Sequence, residues 1–161
     1  MNSKLIVTLA AISFAAPAFA EGDPVAGERE YNKCRACHMI QDDDGNTIIQ
    51  GGRTGPNMWN IIGSPLSAEE GFRYSPGAQE LAEAHPDAVW DVHSLAAYLT
   101  DPNGYLQEHS GNASARSAMT FRMPDGAGKD NLIAYLLTIS PDAPEQPEES
   151  DGAPLPPPEE E

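Results

Sequence analysis

The run Cys34-Arg35-Ala36-Cys37-His38 carries the clearest chemistry in this chain. C-x-x-C-H is the spacing of a c-type haem attachment site. Residues three apart share one face of a helical turn, so the thiols of Cys34 and Cys37 can both reach the two vinyl groups of one haem. His38 follows at once, and its imidazole falls under the iron as the proximal axial ligand. The competing use of two such cysteines is a redox-active disulfide of the thioredoxin-like kind. That motif follows a strand in a βαβ pattern, whereas here a helix-like segment comes first. The chain has no other cysteine, and a bridge between neighbours three apart would close only a tiny loop. The two cysteines are therefore read as serving the cofactor.

The segments that must present this motif begin with an export signal. Lys4 is a positive start, Leu5 to Phe14 an apolar stretch, and Ala18-Phe19-Ala20 a small-residue cleavage site, which together predict a signal peptide over 1–20. The apolar stretch is too short for the roughly 20 residues of a membrane span, so no stable membrane insertion is expected. Residues 21–140 have the length of one small domain, wrapped around haem. The formal net charge of −16 argues against nucleic-acid binding and against attraction to anionic lipid. From Pro141 to Glu161 the chain holds eight acids, seven prolines and no Lys or Arg. That composition predicts a disordered acidic tail over 141–161, dispensable for haem binding.

Within the domain the punctuation is helical. Asp23-Pro24 reads as an N-cap followed by proline at the first helical position, opening a helix that runs to the haem motif. Gly27 and Tyr31 share a face on it, leaving a notch where another helix could cross. Gln41 to Gly55 reads as loop. Asp42, Asp44 and Asn46 imitate a calcium loop, but Thr47 and Arg53 stand where that motif demands glycine and glutamate. Ser67 with Glu70 suggests a capping box. Ser75-Pro76 opens a short helix to Ala84, ended by His85-Pro86. Asp91 caps a third helix carrying Val92, Leu95 and Leu99, stopped by Asp101-Pro102. Gly111 to Ser117 reads as loop, and Leu132, Tyr135, Leu136 and Ile139 form the stripe of a last helix ended by Pro141. No strand alternation is convincing, so the fold class is all-α.

Several further segments then fall into a known order. Thr54-Gly55-Pro56-Asn57, Phe72-Arg73-Tyr74-Ser75, Trp90 with Tyr98, Ala118-Met119-Thr120-Phe121 and Asn131-Leu132-Ile133-Ala134-Tyr135-Leu136 follow the haem motif. From about Gly22 to Ser140 the chain thereby resembles the class I c-type cytochromes, specifically the large-loop bacterial cytochrome c2 family with its cytochrome c550 branch. The resemblance implies a class I cytochrome c fold around one haem c bound through Cys34 and Cys37.

Position alone leaves two candidates for the iron's sixth ligand. Met39 abuts the proximal ligand, Met58 lies in an apolar run, and His85, His93 and His109 read as solvated side chains near turns or on a polar helix face. Met119 and Met123 remain, both in the loop before the last helix. The resemblance selects Met119, which precedes Thr-Phe as the family's ligand does, with Met123 as packing partner. It also implies that the Pro56 carbonyl accepts the His38 N–H, that Tyr74 and Trp90 serve a buried propionate, and that the Tyr98 hydroxyl lies near the Met119 sulfur. Relatives often carry arginine after the glycine equivalent to Gly63, but Ser64 stands here, leaving Arg53 as the candidate substitute.

An iron with both axial positions filled offers no place for substrate, so the expectation is electron transfer rather than catalysis. The implied protein is a periplasmic monomer shuttling between redox partners such as a bc1 complex, a cytochrome oxidase, a photosynthetic reaction centre or a dehydrogenase. A haem subunit or small peroxidase, and a diatomic-gas sensor, are the alternatives. Lys33, Arg35, Arg116, Arg122 and Lys129 are expected to flank the haem edge as a positive docking ring.

Overall fold

Asp23 opens the first described helix. Its carboxylate accepts the Val25 N–H at 2.8 Å, Pro24 stands in the first turn where no donor is needed, and helix α1 runs Pro24–Glu30. A 3₁₀ turn, Tyr31–Lys33, tightens the end of α1 and delivers the chain into Cys34. The computed structural model describes residues 22–144; the expected signal peptide, and the expected tail from residue 145 onward, lie outside the described residues.

Helix α1 is held by the last described helix, α5 (Ala127–Thr138). The Asp23 N–H donates to Asn131 Oδ1 at 2.7 Å across 108 residues of sequence. The rings of Tyr31 and Tyr135 lie 6.0 Å apart. The notch expected at Gly27 is thus filled by α5. Gly126 at the head of α5 makes no side-chain cap, so packing must hold this helix. Leu132, Ile133, Tyr135 and Leu136 are all buried, and at about 2 kcal/mol per side chain that outweighs the roughly 1 kcal/mol of a missing cap.

Between these two helices the predicted punctuation largely operates. Ser75 caps helix α2 (Pro76–Ala84) through the Ala78 N–H. Asp91 and Ser94 make a reciprocal capping box at the start of α3 (Val92–Thr100). The chain differs from expectation at three places. Asp101-Pro102 ends α3 but at once begins α4 (Pro102–His109), because Asp101 Oδ1 accepts the Gly104 N–H at 3.1 Å and proline suits a first turn as well as it breaks a preceding one. Ser67 starts no helix. It sits at φ 54° and its hydroxyl donates to the Ala78 carbonyl at 3.0 Å, so 67–71 turns instead. The segment expected to be loop from Gln41 holds a small antiparallel ladder, β1 (Ile40–Gln41) with β2 (Thr47–Ile49), pairing Ile40 with Ile49 and Gln41 with Thr47. Asp42 Oδ1 closes its turn on the Asn46 N–H.

Two apolar clusters result among the described residues. The larger joins Tyr31, Ile40, Ile62, Leu95, Leu99 and Met123 to the buried face of α5. The smaller joins Leu66, Leu81, Tyr105, Leu106 and Ala115. Trp90 packs on both, which ties α3 and α4 to the α1–α5 pair. The packed chain also reaches beyond Ser140. Asp142 and Asn60 exchange two hydrogen bonds, at 2.8 and 3.1 Å, and Ala143 packs on the larger cluster.

Candidate haem site

The end of α1 puts the thiols in place. The Cys37 and His38 N–H groups both donate to the Cys34 carbonyl, at 3.0 and 2.9 Å, so the motif is itself one helical turn. Cys34 is half-buried and Cys37 exposed. These thiols stand where thioether sulfurs stand in a haem-loaded chain. Burial pushes the Cys34 thiol up to about 11.

The imidazole of His38 is gripped on two sides. Gly55 lies flat against it, and a Cβ there would fall 2.3 Å from its Cε1. His38 Nδ1 lies 2.8 Å from the Pro56 carbonyl oxygen, and because a carbonyl can only accept, Nδ1 carries the proton. Burial pushes the ring below its ordinary titration range, against the opposing pull of Pro56 and the Glu69 carboxylate. The ring is therefore neutral at pH 7 with the lone pair on Nε2, the form in which histidine binds iron. The loop beyond is fixed in turn. Asn57 Oδ1 accepts the Gln41 and Trp59 N–H groups, and Asn57 Nδ2 donates to the Gln41 carbonyl.

Met119 sits in a second grouping. It is half-buried against the larger cluster, whereas Met123 is a core residue, 4 % exposed, with its N–H on the Leu99 carbonyl. The Met119 N–H donates to Ser117 Oγ at 3.0 Å. That same oxygen lies 2.6 Å from the Tyr98 hydroxyl, and the Ser117 N–H reaches Asn103 Oδ1 on α4. The Tyr98 hydroxyl, expected beside the methionine sulfur, is thus joined to Met119 through Ser117. The Trp90 ring lies 5.2 Å from that of Tyr98 and 5.9 Å from that of Tyr105, tilted against both. Tyr74 belongs with the histidine side: its hydroxyl accepts the Glu69 N–H at 3.2 Å. Ser64 caps its own turn through the Ile61 carbonyl, and Arg53 is exposed on the loop before Gly55.

Several charged or polar residues lie elsewhere than residue type alone suggests. Lys129, expected on the docking ring, is buried: its ammonium donates to Thr100 Oγ1 and the Ala96 carbonyl and pairs with Asp125. Lys33 pairs with Glu30 and Arg122 with Asp101 at 2.9 Å. Arg35 donates to the Gln50 carbonyl and Asn32. The expected ring is thus four residues, three of them tied to neighbouring side chains. His109, expected in solvent, is 1 % exposed and lies against Tyr105 with 4.5 Å between rings, while its carbonyl accepts from His85 Nε2.

Known proteins resemble this chain in sequence and fold. The chain is 44% identical over 154 residues to cytochrome c-550 of Paracoccus versutus, covering 95% of this chain and 99% of that one. Cytochrome c-550 of Paracoccus denitrificans is 45% identical over 144 residues, 89% and 92% of the two chains. Cytochrome c2 of Cereibacter sphaeroides is 38% identical over 140 residues, 85% and 94%. Among solved structures, the cytochrome c2 isolated from Paracoccus denitrificans superposes with a TM-score of 0.74 at 44% identity, over 76% of this chain and all of that one. No family model matches the chain.

This chain belongs to the cytochrome c2 family. Its fold is the class I cytochrome c fold, and the family's cofactor is one covalently attached haem c. The cytochrome's own donors fit that group: two unpaired thiols three residues apart, then a neutral imidazole whose other nitrogen is already bonded. Like its relatives it is an electron-transfer protein and not an enzyme. Among the described residues no helix is long and apolar enough to cross a membrane.

Proposed function

We propose that this cytochrome is a periplasmic one-electron carrier whose haem is bonded through Cys34 and Cys37 and whose iron is held between His38 and Met119. Haem c supplies a reversible Fe(III)/Fe(II) couple when bound, and a thioether opposite imidazole favours the reduced form. The protein's part is to hold the donors. The observation that carries the reading is the pair of tethers: Pro56 on His38 Nδ1, which leaves Nε2 to the iron, and Ser117 on the amide of Met119. The core burial of Met123 favours Met119 over it. Tyr74 and Trp90 are the proposed propionate partners, and Tyr98 steadies the methionine loop through Ser117.

Exchange then takes place with membrane or periplasmic redox proteins, of which a bc1 complex, an oxidase, a reaction centre and a dehydrogenase are the candidates. Gene deletion followed by assay of respiratory and photosynthetic electron flow tells which one is served. The ligation is tested by comparing Met119→Ala with Met123→Ala in haem-loaded protein. The reading expects Met119→Ala alone to lower the reduction potential and admit carbon monoxide. A five-coordinate spectrum in the unaltered protein, or these effects from Met123→Ala alone, overturns it.

A further inference from the structure

Glu69 lies on no helix or strand and twelve residues from Asn57, yet its carboxylate oxygen Oε2 sits 2.6 Å from the Asn57 amide nitrogen. That amide is the other half of the peptide unit whose carbonyl, on Pro56, accepts the His38 Nδ1 proton at 2.8 Å. One planar peptide therefore bonds histidine at its oxygen end and a carboxylate at its nitrogen end. Every part is held in place. The Asn57 side chain is locked to Gln41 and Trp59. Glu69 is fixed by its N–H on the Tyr74 hydroxyl and by its carbonyl, which accepts from Phe72.

We propose that the Pro56–Asn57 peptide is an electronic relay, through which the Glu69 carboxylate strengthens the hydrogen bond on His38 and lowers the reduction potential of the haem iron. The physics is that of chained hydrogen bonds. A negative acceptor at the N–H draws the peptide's electron density toward its carbonyl oxygen, which then binds the Nδ1 proton more strongly. A histidine whose outer N–H is more strongly held is a more basic ligand at Nε2, and a more basic ligand favours Fe(III). Glu69 bonds the Asn57 amide and not His38 itself, and is a positioning residue. Its carboxylate is exposed, so solvent screens part of its charge and the effect is modest.

The inference rests on His38 being the proximal ligand, and the test separates the two. Glu69→Gln keeps an oxygen acceptor for Asn57 but removes the charge; Glu83→Gln removes an exposed acid from α2 and controls for net charge. In haem-loaded full-length protein, Glu69→Gln should raise the reduced-to-oxidised ratio at a fixed ambient potential roughly threefold, or about 28 mV at 59 mV per tenfold for one electron. The His38 Nδ1 proton resonance of the ferrous protein should move upfield. A ratio no higher than that of Glu83→Gln overturns the relay, and so does a raised ratio with an unmoved Nδ1 resonance, which would mean the charge acts through space. An unaltered protein in which the iron is not bonded to His38 would instead overturn the ligation itself.

Discussion

Gly27 of α1 lies so close to Asn131 of α5 that a Cβ built on it would fall 1.9 Å from the Asn131 carbonyl oxygen and 2.7 Å from the Tyr135 Cβ. Both contacts are with atoms that cannot swing aside, since one belongs to a helix backbone and the other is fixed to it. Gly27→Ala should therefore push the helices apart. The expected loss is about 3 kcal/mol, the upper part of the overpacking range, read as a lower denaturant midpoint in the haem-loaded protein. A loss under about 0.5 kcal/mol would show that the two helices slide freely.

Lys129 joins α5 to the end of α3 and to the segment beyond Met123. With Lys129→Met the stem still packs, but the bonds to Thr100, Ala96 and Asp125 are lost. The thermal midpoint should fall by about 5 °C.

The same contact sets a pH dependence. The hydrogen bond and charge of Lys129 hold the Asp125 carboxyl below its ordinary value, so the folded state binds its proton less readily than the unfolded chain. The stabilisation is complete above the unfolded carboxyl value of about 3.9 and is lost as pH falls through the lower folded one. Carboxyl-carbon NMR should find Asp125 titrating below that value in the native protein and near it in Lys129→Met.

Ser117 is the join between Tyr98 and the Met119 amide. Ser117→Ala leaves both partners without it, at a cost of about 1.4 kcal/mol in the hold on the methionine loop. If Met119 ligates the iron, carbon monoxide should bind the ferrous form roughly tenfold faster. Tyr98→Phe, which spares the Met119 bond, should have the smaller effect.

Two truncations locate the end of the folded body. Ending after Pro144 should leave the haem spectrum unchanged and stability within about 0.5 kcal/mol, the usual scale of surface changes. Ending after Ser140 removes Asp142 from Asn60 and Ala143 from the core, and should cost about 1–2 kcal/mol in chemical denaturation.

Four helices were legible because their signals are local. An Asp or Ser followed by Pro announces a start, as at Asp23 and Ser75; Asp91 announces one with the stripe Val92, Leu95 and Leu99; and the stripe of Leu132, Tyr135 and Leu136 shows the last, with Pro141 as its end. Helix α4 was not, because Asp101-Pro102 is a stop and a start at once. The β1–β2 ladder is too short to show alternation. Lys129 reads as a docking-ring lysine, since its contacts with Ala96 and Thr100 of α3 leave no mark in its own segment. Within the site, the haem motif and the Pro56 loop could be read from residue types and family order. Ser117 and Glu69 could not, because their importance lies in contacts made across 19 and 12 residues, and neither residue type is distinctive in a polar segment.

The seam between α1 and α5 joins an early helix of the chain to a late one, and synthesis runs in one direction. Cys34 and Cys37 leave the ribosome about a hundred residues ahead of α5, or roughly 5–20 s at 5–20 residues per second. Through that interval Gly27 of α1 lacks the helix that packs on it, and the thiol of Cys34 is not yet shielded by the packing that later makes its thiolate scarce. The architecture thus contains a chronology: the residues that take the cofactor emerge early, and the helix that packs against α1 follows much later.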